Sequence, residues 1–182
     1  MSRAGEKLEF ALVEFGINIS GLTAADFGSS TGGFTDCLLA RGVKKVYAVD
    51  VAYGQLAWKL RKDKRVIVYE RVNAMHIALP EKVDLITIDV GWTKQASILP
   101  NALDNLKSNG KIISLIKLHY EAPKNYLQGG KLIEEKIDEV LDGVKIDIER
   151  SSLKVIDILE SPILGSKGKN KEFLFHLERM FL

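Results

Sequence analysis

Residues 22–34 read LTAADFGSSTGGF. The apolar run from Leu22 to Phe27 suits a short buried strand and stops at Gly28. Gly33 to Arg41 then follows a helical pattern closed by Gly42. A strand, a glycine-rich turn and a helix in that order open a βαβ unit. Gly28, Gly32 and Gly33 allow positive φ and a close backbone approach to a ligand. Two common phosphate-binding loops do not fit. A dinucleotide loop needs glycine where Ser30 stands, and a P-loop needs a lysine that does not follow Gly32 or Gly33.

Outward from this turn, strand and helix patterns alternate. Strands are expected at 45–51 (KVYAVDV), 65–69 (RVIVY), 83–90 (VDLITIDV) and 111–118 (KIISLIKL), with closing strands at 153–159 and 172–177, the last antiparallel. Helices are expected at 6–15, 33–41, 55–61, 97–106 and 132–144, with a turn at Asn109-Gly110. The pattern predicts an α/β fold with a mostly parallel, seven-stranded sheet and helices on both faces. Such sheets bind ligands at the carboxyl ends of their strands, near the switch in strand order.

The 182 residues suit a single domain over 1–182, with an N-terminal helix within residues 1–20. Hydrophobic residues make up 46% and charged residues 27%, so a disordered chain is excluded. Lys+Arg is 26 against Asp+Glu 24, which excludes a histone-like binder or an acidic tail but allows a local basic face. Cys37 is the single cysteine, and His76, His119 and His176 lack metal-ligand spacing, so neither a disulfide nor a metal site is expected. No signal peptide or membrane-spanning run is visible, and a cytoplasmic protein is expected.

Chemistry-bearing residues cluster at the predicted strand ends. Asp50 ends the second strand, where an acid bonds ribose hydroxyls in nucleotide-binding halves of this fold. Asn73 and Ala74 follow the third strand, where a base would sit. The pattern D-x-G-x-S-x-G from Asp26 resembles the first motif of S-adenosylmethionine (SAM) methyltransferases. That resemblance assigns Asp26, Gly28, Ser29, Ser30, Thr31, Gly32, Gly33, Asp50, Asn73 and Ala74 to SAM, with S-adenosylhomocysteine as the product. Asp89 and Lys117 follow two continuous apolar runs, where a buried unpaired charge is costly. Lys7 is expected in the first turn of the N-terminal helix, where the dipole gives a cation no advantage. Glu172 opens the last strand. Taken singly, Lys7 reads as a solvated lysine and Glu172 as a surface acid beside Lys169 or Lys171.

Four segments carry a resemblance to a known family: Ser2 to Leu8, Asp26 to Cys37, Val46 to Leu60, and Asn170 to Phe173. Together they resemble the TlyA, or "hemolysin A", family of FtsJ-like ribosomal RNA 2′-O-methyltransferases. The resemblance implies a Rossmann-like SAM-dependent methyltransferase fold. It also implies a Lys-Asp-Lys-Glu tetrad at Lys7, Asp89, Lys117 and Glu172, with Lys117 orienting or deprotonating a ribose hydroxyl. The implied partner is ribosomal RNA or a ribosomal particle, and no membrane.

Members of that family usually carry an upstream S4-type RNA-binding domain, and the chain shows none, which leaves room for a separate RNA-binding protein. Gly91-Trp92-Thr93 stands where the family has Ser-Phe-Ile, and Leu118-His119-Tyr120-Glu121 where it has Pro-Gln-Phe-Glu. Candidates for holding RNA are Arg3, the aromatics Trp92 and Tyr120, and Lys167, Lys169 and Lys171. The basic run Lys59 to Arg65 is either a phosphate contact or a solvated face. Two other functions stay open: a methyltransferase for a protein or small molecule, and a non-catalytic RNA-binding or assembly factor.

Overall fold

The computed structural model describes residues 2–165 and 169–180. Its elements are α1 (Arg3–Glu14), β1 (Thr23–Phe27), α2 (Gly33–Ala40), β2 (Lys45–Asp50), α3 (Trp58–Arg61), β3 (Val66–Glu70), β4 (Val83–Ile88) and α4 (Gln95–Asn105). They continue as β5 (Leu106–Ile116), α5 (Leu118–Glu121), the hairpin β6 (Leu127–Gln128) and β7 (Lys131–Leu132), α6 (Ile137–Arg150), β8 (Leu153–Glu160) and β9 (Phe173–Arg179).

The main sheet has seven strands in the order β3-β2-β1-β4-β5-β9-β8. β1 to β5 pair in parallel, and β9 runs antiparallel between β5 and β8. Strand order reverses between β1 and β4, so the ends of those strands form the crevice where such folds take ligands. Both faces are buried. Val46, Ala48, Ile113 and Leu115 pack on one side with Leu8, Leu12, Phe34 and Leu38 of α1 and α2. Tyr47, Val49, Ile112 and Ile116 pack on the other with Ile98 and Leu99 of α4 and Val140 and Val144 of α6. Alternation between two apolar layers explains why the strands read as unbroken hydrophobic runs.

Several element boundaries differ from the sequence reading. The helix expected at 55–61 shrinks to Trp58–Arg61, because the Ala57 amide donates to the Thr31 carbonyl and the Gly54 amide to Glu70. The helix expected at 132–144 begins at Ile137, because Leu132 is used by the β6–β7 hairpin and a 3₁₀ turn covers Glu134–Lys136. Its end moves out to Arg150, and Ile133 lies outside it. The expected Asn109-Gly110 turn lies inside β5. Pairing jumps there from Val83↔Leu106 to Leu85↔Lys111, so the intervening residues bulge from the ladder. β4 and β5 stop at Ile88 and Ile116, which leaves Asp89 and Lys117 just beyond their strands. α1 starts three residues earlier than the expected helix. Lys7 therefore stands in its second turn, not its first.

Candidate active site

The turn after β1 is shaped by contacts that exclude side chains. Gly28 has φ +89°, and a Cβ there would lie 2.4 Å from the Asp89 carbonyl oxygen. Only glycine lets the β1 and β4 ends close together at the switch point. Ser30 adopts φ 47°, so the serine at the position of the missing second glycine still takes a left-handed conformation. Gly33 has no Cβ to meet the Ser2 hydroxyl, which would be 2.5 Å away, so the start of α1 packs onto the start of α2. Ser2 caps α1 by accepting from the Gly5 amide. This brings Lys7 to the same rim.

A cleft of about 680 Å³ opens over this rim, within the usual range of small-molecule and cofactor sites. Gly28, Ser30, Asp50, Asn73, Ala74, Asp89, Trp92 and Lys117 line it, drawn from the ends of β1 to β5. Asp50 is held by two backbone donors, the Ser30 amide and the Ala52 amide, each at 2.7 Å. Its carboxylate is therefore aimed before any ligand arrives. Asn73 accepts from the Met75 amide, which fixes the turn that carries Ala74 into the cleft.

Other residues of the glycine stretch support the loop from outside the cleft. Asp26 is fully buried and accepts from the Thr35 hydroxyl at 2.6 Å and the Thr87 hydroxyl at 3.1 Å. Burial, with a smaller contribution from the Asp89 charge, pushes its pKa up to about 7 against the two hydroxyl donors. Gly32, which precedes α2, lies against Leu56 and Leu60. Ser29, Thr31 and Gly33 likewise do not line the cleft. Of the predicted set, Gly28, Ser30, Asp50, Asn73 and Ala74 line the cleft. Gln55, Val72, Met75 and Ile98 also line it and were missed. Gln55 had a signal, since it lies in the Val46–Leu60 segment; the apolar three had none.

Lys7, Asp89, Lys117 and Glu172 form two ion pairs. The Lys7 ammonium donates to Glu172 at 2.5 Å, with the residues 8% and 4% exposed. The Lys117 ammonium donates to Asp89 at 2.5 Å, both half-buried, and approaches the Val90 carbonyl. Glu172 is thus not a surface acid paired with Lys169 or Lys171. A Cβ on Gly165 would lie 2.7 Å from its other oxygen. Lys171 instead stands 3.6 Å from Glu160.

The aromatic candidates sit at the lip. Trp92 is 82% exposed, takes φ 64° and stacks on Tyr120 with ring centroids 4.8 Å apart. Tyr120 in turn meets His119 at 4.0 Å. Burial and the neighbouring Lys117 hold the His119 pKa below its ordinary value. Lys169 and Lys171 line a separate cavity of about 380 Å³ with Leu118, Leu132 and Leu164. That cavity has neither the glycine loop nor a tetrad residue, whereas Gly28, Asp89 and Lys117 line the wider cleft. Arg3 donates to the Leu164 carbonyl and ties α1 to the loop before β9. Lys167 lies outside the described residues. Among the described residues, no cluster of His, Cys, Asp or Glu could hold a metal ion, and no helix is long and apolar enough to cross a membrane.

The sheet order is that of the Rossmann-like methyltransferase fold, with the cleft at its switch point. The chain belongs to the FtsJ-like methyltransferase family, whose model matches residues 1–179. Hemolysin A of Brachyspira hyodysenteriae is 41% identical over 97% of this chain and 75% of its own length. The Mycobacterium tuberculosis protein named 16S/23S rRNA (cytidine-2′-O)-methyltransferase TlyA is 35% identical over 96% of this chain and 67% of its own. A solved structure from Streptococcus thermophilus with a hemolysin name superposes with a TM-score of 0.95 at 37% identity, over 99% of this chain and 67% of that one. The chain therefore spans two-thirds to three-quarters of these relatives.

Proposed function

We propose that residues 1–182 form one catalytic domain that methylates a ribose 2′-hydroxyl of ribosomal RNA, with SAM as methyl donor. The observation that carries this reading is the Lys117–Asp89 pair in the wall of the cleft lined by Gly28 and Asp50. The chain fits the donor on its own geometry. Asp50 presents an oriented carboxylate for ribose hydroxyls, Asn73 and Ala74 flank the place of a base, and Gly28 leaves room for close backbone approach. When bound, SAM supplies an electrophilic methyl group on a sulfonium. The protein must then hold a poorly nucleophilic hydroxyl in line and remove its proton.

Lys117 is assigned to that hydroxyl: its ammonium orients the oxygen, and once it has released a proton to solvent the neutral amine takes the hydroxyl proton as the oxygen–carbon bond forms and the carbon–sulfur bond of the donor breaks, with S-adenosylhomocysteine leaving. Asp89 fixes the Lys117 side chain through the 2.5 Å bond. The Lys7–Glu172 pair holds the neighbouring strand end and places a second buried ion pair at the rim. Positioning of this kind supplies much of the rate enhancement available to such a reaction. A protein or small-molecule amine substrate would need no paired lysines, and a non-catalytic factor would need none of the four. The exposed face of Trp92 offers a platform for a base of the RNA, and Arg3, Lys169 and Lys171 are assigned to its backbone. A separate RNA-binding protein would add affinity for the ribosomal particle.

The test is mass mapping of ribosomal RNA nucleosides from cells with and without the gene. A 2′-O-methyl nucleoside lost with the gene supports the reading. Identical nucleoside maps, or a loss confined to base methylation, overturn it.

A further inference from the structure

Three contacts join the segment after β4 to the turn after β5. The Lys117 ammonium bonds Asp89, Trp92 stacks on Tyr120, and the Gln95 amide donates to the Glu121 carboxylate at 2.9 Å. The third is of a different kind. Gln95 is the first residue of α4, and the residue before it, Lys94, supplies no side-chain cap. Glu121, at the end of α5, fills that place from another element. The Gln95 side chain is buried, and its oxygen accepts from the Ser114 hydroxyl of β5 at 2.8 Å. Gln95 is therefore gripped from both sides by the strand and turn that carry Lys117. Trp92, between Asp89 and Gln95, is held at φ 64° despite its exposure. A strained conformation persists only where its surroundings impose it.

We propose that Glu121 is a positioning residue for methyl transfer: its carboxylate caps α4 and so holds the Asp89–Gln95 segment in register with Lys117. The proposal rests on reading Lys117 and Asp89 as the reacting pair. Glu121 touches neither of them, and it acts through the segment it anchors. Lys94 faces it from the start of α4 and Asp147 from α6, with Lys117 and His119 on its own turn. Burial raises the Glu121 pKa above the ordinary glutamate value. A neutral acid accepts a hydrogen bond less strongly than a carboxylate, so acid loosens the clamp.

The experiment compares wild type, Glu121→Gln, Glu121→Ala and Lys117→Ala in methyl transfer to ribosomal particles, well below each variant's Tm. Displacement of a reacting group by about 1 Å costs on the order of 10² in rate, so Glu121→Ala should lose kcat by about that factor. Its affinity for S-adenosylhomocysteine should fall far less. Glu121→Gln keeps an acceptor oxygen without the charge and should recover only the part of kcat that wild type retains in acid, between wild type and Glu121→Ala. It should also lack the acid-side fall that wild type shows above the ordinary glutamate range. The Trp92 indole NMR signal should shift in the alanine variant and move less in the glutamine variant.

Wild-type kcat with an unmoved Trp92 signal in Glu121→Ala would overturn the proposal. If that variant does not fold, the pH profile of Glu121→Gln decides, and an unchanged acid limb overturns it. Full turnover by Lys117→Ala would instead defeat the reading of the reacting pair, and the proposal with it.

Discussion

Replacing Asp26 by asparagine should stabilise the protein at neutral and alkaline pH and remove part of its pH dependence. Asp26 is buried beneath the glycine turn, its pKa raised from 3.8 to about 7. The sign follows from linkage. The unfolded chain ionises Asp26 above about pH 4, whereas the folded protein keeps it protonated until about pH 7. Folding therefore retains a proton that the unfolded chain has released, and stability falls as pH rises between those values. Below both values nothing is lost, and above about pH 7 the loss is complete. A gap of about three pKa units corresponds to about 4 kcal/mol at full ionisation, of which between 2 and 3, roughly, falls between about pH 5 and 8.

Asparagine has nearly the same shape and carries no charge. Its oxygen can accept from Thr35. Its amide can donate to the Thr87 hydroxyl, which still has the Ala25 carbonyl 3.4 Å away as acceptor. Urea unfolding at pH 5 and pH 8 for both proteins checks this, because every other titrating group is common to the two. The expected result is curves that diverge with pH, with Asp26→Asn the more stable at pH 8. Parallel pH dependence, or an asparagine variant less stable at both values, would refute the reasoning.

Asp50→Ala should weaken S-adenosylhomocysteine binding by about 1.5–3 kcal/mol, the usual contribution of hydrogen bonds to a charged group, as measured by calorimetry. Lys7→Ala leaves Glu172 buried without its cation and should cost about 3–5 kcal/mol in chemical denaturation. Lys7→Met combined with Glu172→Leu should recover much of that loss while leaving turnover impaired. Naked RNA should bind the chain weakly, with a shallow salt dependence of about −0.7 in log K per phosphate contact, by filter binding at several salt concentrations. The net charge of +2 supports few such contacts.

The sheet was legible because both its faces are buried. The runs KVYAVD and VDLITI show no polar alternation to blur them, and Gly28 and Gly42 punctuate the first unit. Segments held by long-range contacts were less legible. The hairpin at 127–132 has a local signal, the Gly129-Gly130 pair at positive φ, but its two-residue strands are too short to read, and the buried Asn170 braces it by accepting from the Leu132 amide and donating to the Gly130 carbonyl. The short α3 is likewise set by Thr31 and Glu70 from outside the segment. In the site, Asp50, Asp89 and Lys117 could be placed because strand ends face one rim. Lys7 and Glu172 could not be paired from sequence, since 165 positions separate them and the contacts that join them, α1 onto α2 and Arg3 onto the loop before β9, are long-range. Of the glycine loop, Gly28 and Ser30 line the cleft, and Asp26 supports the turn from below.

The most direct test of the central claim is methyl transfer from labelled SAM to ribosomal particles by wild type and Lys117→Ala, with the product digested to nucleosides. General-base catalysis alone contributes about 10²–10⁴-fold, so the alanine variant should lose at least that factor while still binding S-adenosylhomocysteine. Lys117→Arg should not rescue it, because a guanidinium neither gives up its proton nor matches the ammonium in shape. Wild type should place the label on a ribose 2′-oxygen. Label on a base, or near-normal turnover by Lys117→Ala, would contradict the account.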